Sequence, residues 1–520
     1  MTVGLRWDYF GVPHNFRPNI DSNLYDGSSS FNQCRNNSHG SSVCFPGDSS
    51  PTAPLVSNNP YFPINPYTAS IFSGQFKIMN HDIWNKDPRD FAPRFGLAWD
   101  IFGDQKTILR FGGGIFYDRM YNNIFENMRF NGPLFAFAEA GLLFSGTTQG
   151  PYSTPGFYSV PINIAQIAPY GATPSARQID VNMKAAYDEQ VNFDLQRQIG
   201  TNWLVDAAYV GTFGHRLPGY VDVTTFAGRE LGGVSHSRIN PDLGSDNSRA
   251  NWFNSNYNSL QLSTSKRFSH GFQFNANYTY SHALDSLSDV FNGRQFINGG
   301  SIGGTVDDPY RRYLEYGNAD FNLAQRFVSY GVWDLPIFKG HKWLGGWSFD
   351  ATFSIQSGQP FSILDTGSDA NLDGYDGQRG EYFGPGSPMN LVVTHRLSPA
   401  DGYIDPRFVN PGTPGFIATL FGASVPAAGA PWTDGFLGRN TMTGPKFVGT
   451  DMSIAKKFQV TERVAMKFTV SGFNIFNHPN FENPVNDINN PSFGQSITDV
   501  QPNNSSSGAR VFQFSGRLDF

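Results

Sequence analysis

A stretch of acidic and amide side chains has the residue types and spacing for metal binding. Asp369, Asn371 and Asp373 alternate and are followed by Gly374, which matches the start of the D-x-[DN]-x-[DN]-G calcium loop. Ca²⁺ prefers hard oxygen ligands, and alternate residues of a tight turn can converge on one ion. The last ligand position, where that loop carries a glutamate, is instead Gly380. The stretch therefore predicts either a calcium site or a solvated acidic turn.

The two cysteines of the chain lie close together in sequence. Cys34 and Cys44 belong to a segment rich in Asn and Ser, which is typical of a loop. In an oxidising compartment such a pair can form a disulfide, and two free thiols are the alternative. We expect the disulfide.

The sequence lacks the usual catalytic motifs. The histidines are scattered without HExxH spacing, and no GxSxG or SxxK pattern places a nucleophile beside a base. His215, His236 and His395 fall in predicted loops, where we expect them to be solvated. The GGG run at 112–114 lies inside a predicted strand and not before a helix, so it is not expected to bind phosphate. We predict that the chain is not an enzyme and has no cofactor other than the calcium alternative.

Several segments of the sequence alternate apolar and polar residues with a period of two. In segment 271–281, Phe, Tyr and Ala alternate with Gln, Asn, Thr and Ser, and segments 347–356, 464–472 and 512–520 repeat the pattern. Successive side chains of a strand point to opposite faces, so each segment has an apolar side and a polar side. About twelve strands of the length that a tilted membrane strand needs are predicted, near 2–10, 94–102, 107–118, 187–198, 202–212, 257–267, 271–282, 325–335, 346–357, 449–458, 462–474 and 510–520.

Short and long connections alternate between these strands. In an antiparallel up-and-down sheet, alternate connections lie at the same end, so all the short turns share one end and all the long connections the other. Outer-membrane barrels have short periplasmic turns and long extracellular loops, whereas a soluble sandwich or propeller has no reason for this separation. The predicted short turns are 102–107, 198–202, 268–271, 335–346 and 458–463, and the long connections are 11–93, 119–186, 213–256, 283–324, 358–448 and 475–509.

The composition agrees with a membrane barrel. The mean hydropathy is only −0.36, but a barrel needs an apolar residue only at every second strand position. Aromatic residues make up 15% of the chain, and five tryptophans near predicted strand ends or on apolar sides suit an interfacial girdle; in a soluble protein they would fill a core. These five tryptophans are Trp7, Trp99, Trp203, Trp333 and Trp347.

The net charge of −6 without a long basic run gives no indication of nucleic-acid binding.

Three segments, 90–120, 257–285 and 468–484, resemble the C-terminal barrel of TonB-dependent outer-membrane receptors, and the similarity is to the large Oar-like group. The resemblance implies an all-β transmembrane barrel of about 22 strands, of which residues 1–520 form the C-terminal portion. The start, MTVGLRWDYF, reads as a strand and not as a signal peptide. We therefore expect the signal peptide, the plug with its TonB box and the first strands upstream. The implied partners are outer-membrane lipid, the TonB complex through the plug, and an extracellular ligand.

The last residues of the sequence resemble the signal by which the barrel assembly machinery recognises outer-membrane proteins. Gln513, Leu518 and Phe520 fit this pattern, whereas Ser515 stands where glycine is usual and Gly516 follows it. An edge strand that happens to end in an aromatic residue is the alternative.

The function that follows from the resemblance is TonB-dependent uptake, across the outer membrane of a Gram-negative bacterium, of a scarce siderophore, cobalamin, peptide or oligosaccharide. A structural or adhesive surface protein on the same barrel, a passive porin and a secreted soluble β-protein are the alternatives.

Overall fold

The structure is a computed structural model. It describes residues 1–13, 21–24, 76–79, 82–126, 176–180, 182–222, 246–289, 296–297, 300–301, 315–338, 341, 343–365, 378–379, 381–382, 396–398, 402–403, 421–422, 437–461, 463–490, 493–494, 496, 499–500 and 508–520.

Twelve long strands form one antiparallel sheet in which each strand is hydrogen-bonded to the next in chain order. This confirms the all-β, up-and-down architecture predicted from the sequence, because every predicted strand is present. The strands are β1 Thr2–Asp8, β2 Asp90–Asp100, β3 Thr107–Asp118, β4 Ala186–Ile199, β5 Trp203–Asp222, β6 Asp246–Ser269, β7 Phe272–Asp285, β8 Gln325–Asp334, β9 Trp347–Gln356, β10 Phe447–Gln459, β11 Ala465–Phe473 and β12 Val511–Asp519.

Short strands and a helical turn lie within the long connections. Ala176–Ile179 pairs in parallel with β6, and Gly317–Asn318 pairs with β7, which brings the main sheet to 14 strands. The single described helix is the turn Asn123–Glu126. No helix in the described ranges is long and apolar enough to span a membrane. The remaining short strands are Asp21–Leu24, Phe76–Met79, Phe296–Ile297, Gly300–Ser301, Pro360–Phe361, Leu364–Asp365, Gln378–Arg379, Glu381–Tyr382, Arg396–Ser398, Gly402–Tyr403, Phe421–Gly422 and Met442–Thr443.

The register between strands gathers the apolar residues on one face of the sheet and the polar residues on the other. Because the side-chain period is two, a shift of one residue would exchange the faces, so the pairing and the sequence pattern must agree. We call the two sides the apolar face and the polar face. From β9 to β12, one row of the apolar face is Phe349, Ile454, Val470 and Phe514, and the neighbouring row of the polar face is Asp350, Ser453, Ser471 and Gln513.

The apolar face is uncovered. Phe514 is 76% exposed and Ile454 is 42% exposed, and many other large hydrophobic residues of this face are also accessible. An apolar surface of this extent is costly in water but suits contact with lipid. The five tryptophans predicted to form a girdle all lie on this face; four are paired with apolar residues, and Trp347 lies opposite Lys456.

Two lysines on the apolar face lie close to the short turns. Lys266 donates to the Ser269 and Phe272 carbonyl oxygens at 2.9 and 2.8 Å. Lys456 donates to the Gly345 carbonyl oxygen, and its ammonium group lies 5.4 Å from the ring centre of Trp347. Both side chains therefore carry their charge to turn carbonyls at the sheet end while their methylene groups stay on the apolar face.

Local hydrogen bonds explain why the turns at one end are short. Between β2 and β3, the Asp100 carboxylate accepts the backbone N–H groups of Gly103 and Gln105 at 3.0 and 2.8 Å. Between β6 and β7, His270 and Gly271 both have positive φ angles, of 54° and 76°. Two such residues close a tight hairpin whose twist matches that of the strands.

One predicted connection is wrong at its boundaries. Residues 213–256 were expected to form a loop, but β5 continues to Asp222 and β6 starts at Asp246. These strands have 20 and 24 residues, whereas a tilted strand crosses a membrane with about 9–11. The surplus forms a hairpin that continues past the membrane, with register shifts between Gly214 and Gly219.

The same extension changes the environment of one histidine. His215 lies in β5 and its ring stacks on Tyr187 at 5.0 Å between centres, so its expected place in a solvated loop is wrong. His236 and His395 are outside the described residues.

The glycine run at 112–114 lies inside β3, as predicted. A Cβ atom on Gly114 would come within 2.8 Å of the Pro93 carbonyl oxygen, and one on Gly112 within 2.5 Å of the Asn192 side chain. Close approach of the neighbouring backbone therefore requires glycine at position 114, whereas at position 112 the Asn192 side chain could move aside.

Adjacent substitutions in β10 should have opposite outcomes because they lie on opposite faces. Ile454→Arg should destabilise the folded barrel by about 2–4 kcal/mol, the cost of an arginine facing lipid near the membrane centre, whereas Ser453→Arg on the polar face should be tolerated. Denaturant unfolding in lipid vesicles measures the difference. Equal destabilisation by both variants would contradict the assignment of the two faces.

Candidate functional site

The polar face carries long rows of hydroxyl and amide groups. On β6 and β7 these are mainly Ser, Thr, Asn and Gln, which can donate and accept hydrogen bonds without a fixed charge. Such a surface suits the wall of a water-filled path and not a packed core. Neighbours across β6 and β7 include Ser263 with Asn277, Gln261 with Thr279, and Ser259 with Ser281.

A cluster of charged side chains lies within the polar face on β3 to β5. Arg110 donates to the Asp194 carboxylate at 2.9 Å and to the Gln196 side-chain oxygen at 3.0 Å. Asp206 of β5 lies opposite Gln196 in the register. The group places two carboxylates and one guanidinium side by side on the polar face, which gives this part of the wall a fixed electrostatic character.

At the long-connection end, buried charges join the connection between β7 and β8 to the connection between β9 and β10. Arg439 donates to the Glu315 carbonyl oxygen at 2.8 Å, to the Ser288 hydroxyl at 3.1 Å and to the Asp285 carboxylate. Its guanidinium also lies 3.5 Å from an Asp320 carboxylate oxygen. Buried charges are stable only when they are paired and hydrogen-bonded, which this arrangement provides.

A second buried ion pair extends the same group. Arg379 contacts Glu315 at 2.9 Å, and both side chains are almost fully buried. We call Asp285, Glu315, Asp320, Arg379 and Arg439 the rim clamp. It fastens residues of two connections, β7 to β8 and β9 to β10, to the end of β7, so this part of the rim has a defined shape.

Asn440 completes the rim clamp through its backbone conformation. Its φ angle is +55°, which Asn tolerates better than most residues. This places its N–H group 2.9 Å from the Ser362 hydroxyl oxygen, while its side-chain amide donates to the Asn318 carbonyl and an Asp320 oxygen, both at 2.6 Å. Burial raises the pKa of Asp320, and the hydrogen bond from the Asn440 side chain offsets part of this rise.

Asparagine side chains hold the connection after β11. Asn480 accepts the Val448 N–H at 2.7 Å and donates to the Val448 carbonyl at 3.0 Å, so its amide imitates a strand backbone beside β10. Asn486 donates to the Ser362 carbonyl at 2.8 Å, and Asn474 donates to the Gly508 carbonyl at 2.7 Å. Sequence reasoning missed this role, although the density of Asn between 474 and 490 was a visible signal.

The structure places the residues of the predicted assembly signal but does not test it. Gln513 lies on the polar face of β12, and Leu518 lies on its apolar face. Phe520 comes directly after the strand and is 96% exposed. The assembly signal therefore stays a prediction.

Two other predicted sites lie outside the described residues, namely the calcium loop (Asp369, Asn371 and Asp373) and the disulfide pair (Cys34 and Cys44). Within the described part of the chain, no cluster of three or more His, Cys, Asp and Glu residues could hold a metal ion.

Comparison with known proteins gives one family and a set of solved structures. The family model described as "Outer membrane beta barrel domain" matches residues 1–513. No curated protein matches the sequence. The outer membrane transporter YddB from Escherichia coli is 11% identical, with a TM-score of 0.40, over 85% of this chain and 41% of its own.

Two further structures give similar values. FpvA from P. aeruginosa, bound to a heterologous pyoverdine, is 9% identical, with a TM-score of 0.36, over 84% of this chain and 34% of its own. The FrpB iron transporter from Neisseria meningitidis is 9% identical, with a TM-score of 0.35, over 86% of this chain and 41% of its own. This chain thus spans 34–41% of the length of these three structures.

Removal of the Arg439 charge should destabilise the rim clamp. Arg439→Met leaves the Asp285 carboxylate buried without its main partner, and breaking a buried pair costs about 3–5 kcal/mol. Amide hydrogen exchange in segments 315–322 and 437–440 should accelerate by about two orders of magnitude or more. Arg517→Met, which breaks the exposed pair with Asp519, is the matched control and should leave that exchange unchanged. Unaltered exchange in Arg439→Met would show that the rim clamp does not hold these segments.

Proposed function

Because this chain belongs to the outer membrane beta barrel domain family, which matches residues 1–513, we propose that it is part of a TonB-dependent receptor that imports a scarce extracellular ligand. Its location is the outer membrane of a Gram-negative bacterium. In this proposal the apolar face contacts lipid, the polar face borders the path of the ligand, and the long connections lie outside the cell.

The observation that carries the proposal is the polar face, above all its rows on β6 and β7. The β6 and β7 rows of hydroxyl and amide groups, together with Arg110 and its partners, would be costly to bury in a protein core without matched hydrogen bonds. In contact with water, these polar groups form hydrogen bonds with the solvent and need no further partner in the protein. A wall that is apolar outside and polar inside is the arrangement of a transmembrane barrel with an aqueous lumen.

The proposal includes further strands of the same protein. Among the described residues, β1 and β12 each pair with a single neighbouring strand of the sheet. A strand edge with free N–H and C=O groups is not stable in lipid, so the barrel must close around these two edges. A plug with a TonB box would belong to the same longer chain, and the TonB complex would act on it.

Ligand capture is assigned to the long-connection end. The rim clamp and the asparagine bonds after β11 give the described parts of these connections a fixed shape, and preorganised loops bind with a smaller loss of conformational entropy. The proposed ligands are a siderophore, cobalamin, a peptide or an oligosaccharide. The resemblance of segments 90–120, 257–285 and 468–484 to TonB-dependent receptors supports this assignment over a passive porin.

A structural or adhesive role at the cell surface is the second candidate. The hairpin formed by the ends of β5 and β6 favours it, because strands of 20 and 24 residues extend past the membrane. A projecting hairpin of this kind presents a surface to other cells or to a substratum without any need for transport.

Uptake by cells that carry the intact gene tests the proposal. Accumulation of a labelled ferric siderophore, cobalamin, oligopeptide or oligosaccharide should depend on the gene and should fall to background when tonB is deleted. Uptake that persists without TonB would contradict the coupled mechanism and would indicate a porin. Loss of cell adhesion on deletion of the gene, with uptake of all four probes unchanged, would favour the adhesive role.

A further inference from the structure

We propose that a cavity at the long-connection end of β1 to β4 binds a small organic cation, whose ammonium group is held by Asp90. The cavity has a volume of about 110 Å³ and is lined by apolar, aromatic and charged side chains. It is separate from the rim clamp, and the proposal concerns binding alone, so it does not rest on TonB-dependent uptake.

The apolar part of the cavity wall belongs to a packed cluster. Trp84, Met120 and Met183 line the cavity and are buried together with Ile83, Ile124 and Ile179. The rings of Trp84 and Phe125 meet edge to face with their centres 5.6 Å apart. Since these side chains are fixed by packing, the cavity is preformed and its aromatic lining has a defined geometry.

The polar part of the wall contains a carboxylate with no partner. Asp90 is only 3% exposed, lines the cavity, and has neither a hydrogen bond to its carboxylate nor an ion pair among the described residues. A carboxylate buried in this way is costly unless a cation or a donor neutralises it. The Arg216 and Arg89 guanidinium groups act on Asp90 only from beyond ion-pair distance. Arg119 and Lys184 also line the cavity, but neither pairs with this carboxylate, so a cation in direct contact with Asp90 would have to be a ligand in the cavity.

The neighbouring acidic groups show the contrast. Asp87 is held by Arg89 through two bonds of 2.7 and 3.1 Å, with Lys184 at 3.9 Å, and the Arg89 guanidinium lowers the pKa of Asp87. Asp8, which lies opposite Asp90 in the sheet, is held by Arg6 at 2.7 Å. Two of the three carboxylates are thus satisfied within the protein, and the third is left for a ligand.

The lining selects the class of cation. An ammonium group has three hydrogen-bond donors, which a carboxylate can accept, and it is attracted to the faces of aromatic rings such as those of Trp84 and Phe125. A cavity of about 150 Å³ can hold benzene, so this smaller one suits a short alkylammonium group. A metal ion would need more oxygen or nitrogen ligands than the described residues bring together here.

Calorimetry on the whole protein in lipid nanodiscs tests the site, with n-propylammonium chloride as the probe. The neutral isostere 1-propanol and sodium chloride at equal ionic strength serve as ligand controls. The wild type should bind the ammonium salt, and the two controls should give no binding. Absence of binding by the ammonium salt, or equal binding of 1-propanol, would overturn the proposal.

The variant Asp90→Asn keeps the size of the side chain and removes its charge. It should weaken binding of n-propylammonium at least about tenfold, since a charge-assisted hydrogen bond is lost. Asp519→Asn, at the exposed end of β12, is the matched control and should bind as the wild type does. Unchanged affinity in Asp90→Asn would refute the role of this carboxylate.

A second variant keeps the test decisive if Asp90→Asn fails to assemble. Trp84→Leu preserves an apolar wall but removes the aromatic face, so it should also weaken binding of n-propylammonium, by a smaller factor. Full affinity in Trp84→Leu would contradict the proposed aromatic contact.

Discussion

The structure depends on one constraint, namely that a strand in lipid must satisfy every backbone hydrogen bond and still present an apolar side chain at every second position. The twelve-strand antiparallel sheet meets the first requirement between neighbours. The register meets the second, because rows such as Phe349, Ile454, Val470 and Phe514 continue from strand to strand. The polar face, the separation of short turns from long connections, and the position of the rim all follow from this pairing.

The constraint explains why the sequence predicts the sheet so well. Alternation is a local property, and strands such as β7, β9 and β12 display it within their own residues. The alternation of short and long connections then predicts which end of the sheet carries the turns and which carries the long connections, without any knowledge of contacts. The sequence does not predict the extended hairpin of β5 and β6, because outside lipid its residues no longer need to alternate, and the pairing continues through bulges at Gly214 and Gly219.

The contacts at the rim were less predictable from the sequence, for a physical reason. Arg439 and Asp285 are separated by 154 residues in the sequence, and nothing local distinguishes such a pair from solvated charges in two loops. The same holds for Asn480 and Val448, whose hydrogen bonds depend on the position of β10. Asp90 falls in the predicted connection 11–93, although it is the first residue of β2, and its lack of a direct partner is visible only when the cavity beside it is known. Sites built from distant connections therefore need the structure.

The orientation of the two faces can be measured directly. In a background with Cys34→Ser and Cys44→Ser, a nitroxide label at a single introduced cysteine reports its surroundings by paramagnetic relaxation with oxygen, which enriches in lipid, and with a water-soluble nickel chelate. Labels at positions 349, 454 and 470 should respond to oxygen, and labels at positions 350, 453 and 471 to nickel. The same response at both sets of positions, or the reverse assignment, would contradict a sheet whose apolar face contacts lipid.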